Sequence, residues 1–109
     1  MGGDELKDKV AIVTGATRKR GLGRAIAMCL ARAGADVVVT GASASGSLTD
    51  DERQGGWLGL SSVVDEIRAL GRRAHGVYVD VSNAGEVQRM IDETVAELGR
   101  IDILVNNAA

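Results

Sequence analysis

The chain has 109 residues, 45% of them apolar, with a formal net charge of -2, one cysteine and one histidine. That length allows one modest core and is short for a complete α/β enzyme. The near-neutral balance argues against nucleic acid or an anionic membrane as the main partner, and a lone cysteine excludes a disulfide framework or a thiolate metal cluster. No apolar stretch reaches the roughly 20 residues needed to cross a bilayer, and the polar MGGDELKDK start is unlike a secretory signal, so the expected setting is reducing and cytoplasmic.

The run Val10 to Thr14 predicts a strand buried on both faces, and it breaks into a glycine-rich loop holding Gly15, Gly21 and Gly23. From Leu22 the apolar residues Leu22, Ile26, Cys29, Leu30 and Ala33 fall on one face of a helix, which makes Cys29 a small core residue. A strand, a glycine loop and a helix N-terminus in that order form a cradle for nucleotide phosphates. Five residues separate Gly15 from Gly21, and Leu22 follows where a phosphate loop would carry Lys and Ser/Thr, so ATP hydrolysis is not the reading.

Gly34 closes the helix, and Ala35 to Thr40 predicts a second buried strand ending at Gly41. The stretch from Gly41 to Gly59 is rich in Gly, Ser and Asp without a period, and reads as a loop or insertion whose Trp57 covers a helix edge or lines a ligand cleft, covering being the commoner role of a single aromatic. Leu60, Val63, Val64, Ile67 and Leu70 then form a helical stripe, with Ser61 or Ser62 as N-cap and Gly71 as terminator. Ala74 to Val79 is the third strand, with His75 as a polar residue at its start. Asn83 and Glu86 make an N-cap pair for a third helix along Val87, Ile91, Thr94, Val95 and Leu98, which Gly99 ends. Ile101 to Val105 is the fourth strand.

Nearly continuous apolar strands alternating with helices predict a doubly wound parallel sheet, α/β in class, with strand order 3-2-1-4 and three helices. The chain reverses direction between strands 1 and 4, leaving a crevice at the carboxyl ends of the strands where ligands bind. Thr14 to Gly23, Gly41, Asp80 and Asn106 all fall at those ends.

TGATRKRGLGRAIA, then GADVVVTGA, then DVSN, then IDILVNNAA resembles the short-chain dehydrogenase/reductase family over nearly the whole chain. The resemblance implies a Rossmann-type domain, here the N-terminal portion of one spanning residues 1–109 and truncated after strand 4. It implies NADP or NAD as cofactor and hydride transfer between nicotinamide and a small-molecule alcohol or carbonyl substrate, in a homo-oligomer when complete. By position, Gly15, Gly21 and Gly23 would shape the pyrophosphate turn, with Thr17, Arg18 and the backbone of Leu22 touching ribose or phosphate. Asp80 would accept from the adenine amino group, Val81 N–H would face the ring, and Asn106 and Ala108 would contact the ribose near nicotinamide. Asn107 would tie strand 4 to its neighbour.

The glycine loop is two residues longer than the family pattern, and Ala109 stands where the family has glycine. The family's catalytic Ser and Tyr-x-x-x-Lys lie beyond this point, so no catalytic residue is assigned within the 109. Arg18, Lys19, Arg20 and Arg24 near the turn, with Gly41 rather than a carboxylate ending strand 2, favour the phosphorylated cofactor. A non-catalytic nucleotide-binding regulatory or scaffolding module is the alternative. Methyl transfer from S-adenosylmethionine would want an acidic residue where Gly41 stands.

Overall fold

The structure, a computed structural model, describes residues 5–42 and 49–107. Its sheet contains β1 (Val10–Val13), β2 (Asp36–Gly41), β3 (Ala74–Tyr78) and β4 (Ile103–Val105), all parallel and ordered β3-β2-β1-β4. Four helices join them: α1 (Leu22–Arg32), α2 (Asp50–Gln54), α3 (Leu60–Ala69) and α4 (Ala84–Leu98). The strand order is the predicted one, and the fold is the Rossmann-type arrangement expected of it.

Strand alternation divides the core in two. Val13, Val37 and Val39 face α1 and α3, meeting Ala27, Met28, Ala31, Val63 and Ile67, whereas Val10, Ile12, Val38 and Val77 face α4 through Met90 and Leu98. Every β1 side chain is therefore buried, which is why its sequence runs apolar without alternation. Among the described residues β4 pairs with β1 alone, and Leu104 is exposed.

Four expectations are corrected. The 41–59 insertion contains a fourth helix, α2, because Thr49 and Glu52 close a capping box: the Thr49 hydroxyl accepts from Glu52 N, and the Glu52 carboxylate accepts from Thr49 N. In α1 the buried stripe is Gly23, Ala27, Met28 and Ala31, so Cys29 is exposed and Leu22 is 67% exposed. Small residues face the sheet because the helix lies close against β1, and the larger Ile26 and Leu30 pack only at its flanks. Neither Ser61 nor Ser62 caps α3. Gly59 occupies that position at φ 71°, while Ser62 Oγ accepts from Leu58 N at 2.8 Å. Finally, β4 begins at Ile103 rather than Ile101: the Asp102 carboxylate takes the Val10 N–H at 2.9 Å in place of a backbone carbonyl, while the Asp102 N–H reaches Val10 O at 2.9 Å.

The ends predicted for α1 and α4 hold. After α1, Gly34 at φ 113° lets its own N–H reach Ala31 O while Ala35 N reaches Leu30 O, the paired bonds of a Schellman turn. Asn83 caps α4 by accepting from Glu86 N at 3.1 Å, and Gly99 ends it in the left-handed region.

Candidate cofactor crevice

The carboxyl ends of β1, β2 and β3 open into a crevice of about 800 Å³ lined by Gly15, Thr17, Arg18, Thr40, Gly41, Ala42, Val79, Asp80, Val81, Ser82 and Asn107. Five sequence-predicted positions, Gly15, Thr17, Arg18, Asp80 and Val81, thus share one wall-to-wall space. Gly21, Leu22 and Gly23 form the start of α1 behind the loop. Asn106 stands beside the crevice, its Oδ1 accepting from the Thr14 hydroxyl at 3.3 Å, and Ala108 lies outside the described residues. Thr40, Gly41, Ala42, Val79, Ser82 and Asn107 complete the lining; of these Thr40, Ala42, Val79 and Ser82 were assigned no role from the sequence, although Thr40, Ala42 and Ser82 lie within its recognisable motifs.

Backbone demands fix the loop. Gly15 leaves β1 at φ 72°, a region L side chains rarely adopt, and Ala16 N then bonds Thr40 O at 2.9 Å so that the loop starts alongside β2. A Cβ on Gly23 would stand 2.3 Å from Gly15 O, so glycine there sets how near α1 approaches the turn. Asn107 ties the arrangement from β4, its N–H to Thr14 Oγ1 at 2.9 Å and its Nδ2 to Gly15 O at 3.1 Å. That is the tying role expected of it.

The insertion grips the outside of the loop. Trp57 Nε1 donates to Thr17 O at 2.8 Å, Glu52 Oε2 accepts from Lys19 N at 2.6 Å, and Arg24 Nη1 donates to Lys19 O at 3.2 Å. Trp57 is buried, as a covering residue should be, with the Arg24 guanidinium 5.6 Å above its ring. Arg24 also clasps Glu66 of α3 through both Nε and Nη2, at 2.7 and 2.6 Å. Spacing along the chain could not reveal these partners, although T-D-D-E at Thr49–Glu52 is a readable capping signature.

This grip revises the expected electrostatics. Among the described residues, Arg18 is the one basic side chain in the crevice lining; Lys19 and Arg20 border a smaller hollow of about 360 Å³ beside it, and Arg24 is committed to Glu66 and Trp57. Arg18 is about half exposed and approaches Glu52 at 3.9 Å, a loose ion pair. On the opposite wall, Asp80 Oδ1 accepts from the Ser82 hydroxyl at 2.6 Å and from Ser82 N at 2.9 Å, which holds its carboxyl below the usual carboxylate range. Asp80 therefore shapes a turn and remains an exposed acceptor, while Asn83 does the capping.

His75, at the far side of β3, meets Glu93 of α4 at 3.4 Å. No group of three or more potential metal ligands occurs among the described residues, and no helix there is long and apolar enough to cross a membrane.

Two carboxylates in the grip are depressed below the ordinary glutamate value of 4.5. For Glu66 the main cause is the Arg24 hydrogen bond, and for Glu52 it is the Thr49 N–H, followed by that of Lys19. A lowered folded value means that each stabilises the fold above the ordinary value and loses that contribution as pH falls through the folded one. Acidification below about pH 4.5 is thus expected to release α2 first, shifting the emission of Trp57, the sole tryptophan, before the far-UV dichroism collapses. A single coincident transition would contradict it.

Residues 9–109 match the family described as short chain dehydrogenase. The chain is 43% identical over 103 residues to a cyclohexanol dehydrogenase of Rhodococcus sp. (strain TK6), covering 94% of this chain and 37% of that protein. It is 44% identical over 103 residues to the 2-dehydro-3-deoxy-D-gluconate 5-dehydrogenase of Pseudoalteromonas atlantica, covering 94% and 35%. Among solved structures it resembles a short chain dehydrogenase from Burkholderia cenocepacia J2315 in complex with NADP, with TM-score 0.76 and 38% identity, covering 97% of this chain and 38% of that one. The chain therefore spans little more than a third of the length of these relatives.

Proposed function

This chain belongs to the short-chain dehydrogenase/reductase family, and from that premise we propose that its 109 residues are the dinucleotide-binding part of an oxidoreductase acting on an alcohol or carbonyl compound. The observation that carries the reading is the crevice: a phosphate-type glycine turn, backed by the start of α1, and the ends of three parallel strands enclose one space of about 800 Å³. When bound, a nicotinamide dinucleotide supplies the hydride acceptor or donor, and the chain's own residues bind and orient it.

In this reading Gly15, Gly21 and Gly23, with the backbone of Leu22, shape the turn under the pyrophosphate, where the N-terminal amides of α1 favour negative charge. Asp80 and Val81 meet the adenine, and Asn106 and Ala108 meet the ribose next to nicotinamide. The group that gives or takes the substrate proton is contributed from outside this segment.

NADP is the favoured cofactor because Arg18 lines the crevice beside Gly41, where the strand brings no carboxylate to compete for the ribose hydroxyls. In the complete protein, Arg18→Ala should weaken NADPH by roughly 1 to 3 kcal/mol, the range of a hydrogen bond to a charged group, and leave NADH nearly unchanged. Titration of both reduced cofactors by their own fluorescence reads this directly. Equal losses would count against NADP, and a wild-type protein that binds neither would count against the function.

A further inference from the structure

The glycine loop is held by something beyond its own strand and helix. Lys19 N–H, at the tip of the loop, donates at 2.6 Å to a carboxylate 33 residues away, and that glutamate is only 7% exposed. The other Glu52 oxygen takes Thr49 N–H at 2.9 Å, so the carboxylate bridges two backbone segments that the sheet does not connect. Trp57 adds a bond from the same insertion to Thr17 O at 2.8 Å. These are the short, part-buried contacts of the insertion; the 3.9 Å approach to Arg18 is not one of them.

A charge-assisted bond from a carboxylate to a backbone N–H is directional and about twice as strong as a neutral one. Here it fastens the residues between Thr17 and Gly21, the part of the turn that two extra residues would otherwise leave free to sag into the crevice. Gly15, Thr17 and Arg18 form the crevice wall immediately before that point. We infer that Glu52 is a positioning residue for cofactor binding: by holding Lys19 N–H against α2 it keeps the glycine loop, with Thr17 and Arg18, in the crevice wall. This rests on the dinucleotide reading above. Its low-lying acidity keeps Glu52 charged, and the bond in place, throughout the neutral range.

Glu52→Gln leaves one oxygen for two N–H donors. In the complete protein, titrated with NADPH and NADH by cofactor fluorescence, it should raise both dissociation constants about tenfold while the number of binding sites per chain stays the same. A role confined to general stability would instead lower the number of competent sites and leave the dissociation constants of the remainder intact. That pattern, or no change at all, overturns the inference. Trp57→Phe keeps the buried ring and removes the donor to Thr17 O, so it should weaken both cofactors in the same sense by about threefold. It decides the matter if Glu52→Gln does not fold, and an unchanged affinity there also overturns the inference. Wild-type protein that takes up neither cofactor would overturn the dinucleotide reading itself, which these variants do not touch.

Discussion

Gly23→Ala should destabilise the protein by about 3 kcal/mol and abolish measurable cofactor binding, the largest effect expected of any one-carbon change in this chain. The added Cβ would lie 2.3 Å from Gly15 O, 2.9 Å from Gly15 C and 2.9 Å from Asn107 Nδ2. Two of those atoms are backbone, and the third is already bonded to Gly15 O at 3.1 Å, so nothing nearby can swing aside. α1 must retreat from β1, which uncouples Ala27 and Ala31 from the sheet and pulls the start of the helix from the turn. Gly21→Ala is the milder comparison: its Cβ would meet Arg18 Cβ at 3.0 Å and Arg18 O at 3.5 Å, a contact that a few tenths of an ångström of loop movement relieves. Urea unfolding should separate the two clearly. A midpoint for Gly23→Ala equal to that of Gly21→Ala would mean that α1 does not sit close against β1 at Gly23.

Gly41→Asp should lower affinity for both cofactors rather than exchange one for the other. A carboxylate at the end of β2 would receive the ribose hydroxyls of NADH and repel the 2′-phosphate of NADPH. Yet a Cβ at Gly41 would fall 2.2 Å from Thr17 Cγ2, and the Tyr78 ring at 3.4 Å closes the other side. Thr17 must then move, and its carbonyl is fastened to Trp57. The double change Thr17→Ser with Gly41→Asp removes the obstructing methyl. It should restore NADH binding and leave NADPH about 10- to 100-fold weaker relative to it than in the wild type, which corresponds to about 1.4 to 2.7 kcal/mol of like-charge discrimination. Dissociation constants for both cofactors, measured on variants whose dichroism matches the wild type, test this. An unchanged ratio in the double variant would show that the end of β2 does not face the ribose.

The strand order and both faces of the sheet were legible because four valine- and isoleucine-rich runs recur with helical stripes between them, and the glycine and asparagine motifs fall where those runs end. What escaped reading has two physical sources. In α1, apolar character misled: Leu22 and Cys29 are exposed, and the sheet instead takes Gly23, Ala27 and Ala31, whose smallness permits close contact, together with Met28. In the insertion, a five-residue helix is too short to show a period, so only its capping box betrays it. The basic residues near the turn looked like one cluster because sequence gives proximity and not direction. Glu66 turns Arg24 toward α3, and Lys19 and Arg20 border a separate hollow, leaving Arg18 in the crevice.

The bonds from Glu52 and Trp57 to Lys19 and Thr17 have a consequence for how the gene can change length. A shortened glycine loop would leave Glu52 and the Trp57 indole without acceptor or donor across the interface, and deletion of α2 would leave the long loop's tip unsupported. Either deletion alone is penalised, whereas both together restore a compact turn. Two stretches 33 residues apart should therefore lengthen and shorten as one inherited character, and grafting this glycine loop into another member of the fold will succeed only when residues 49–57 travel with it.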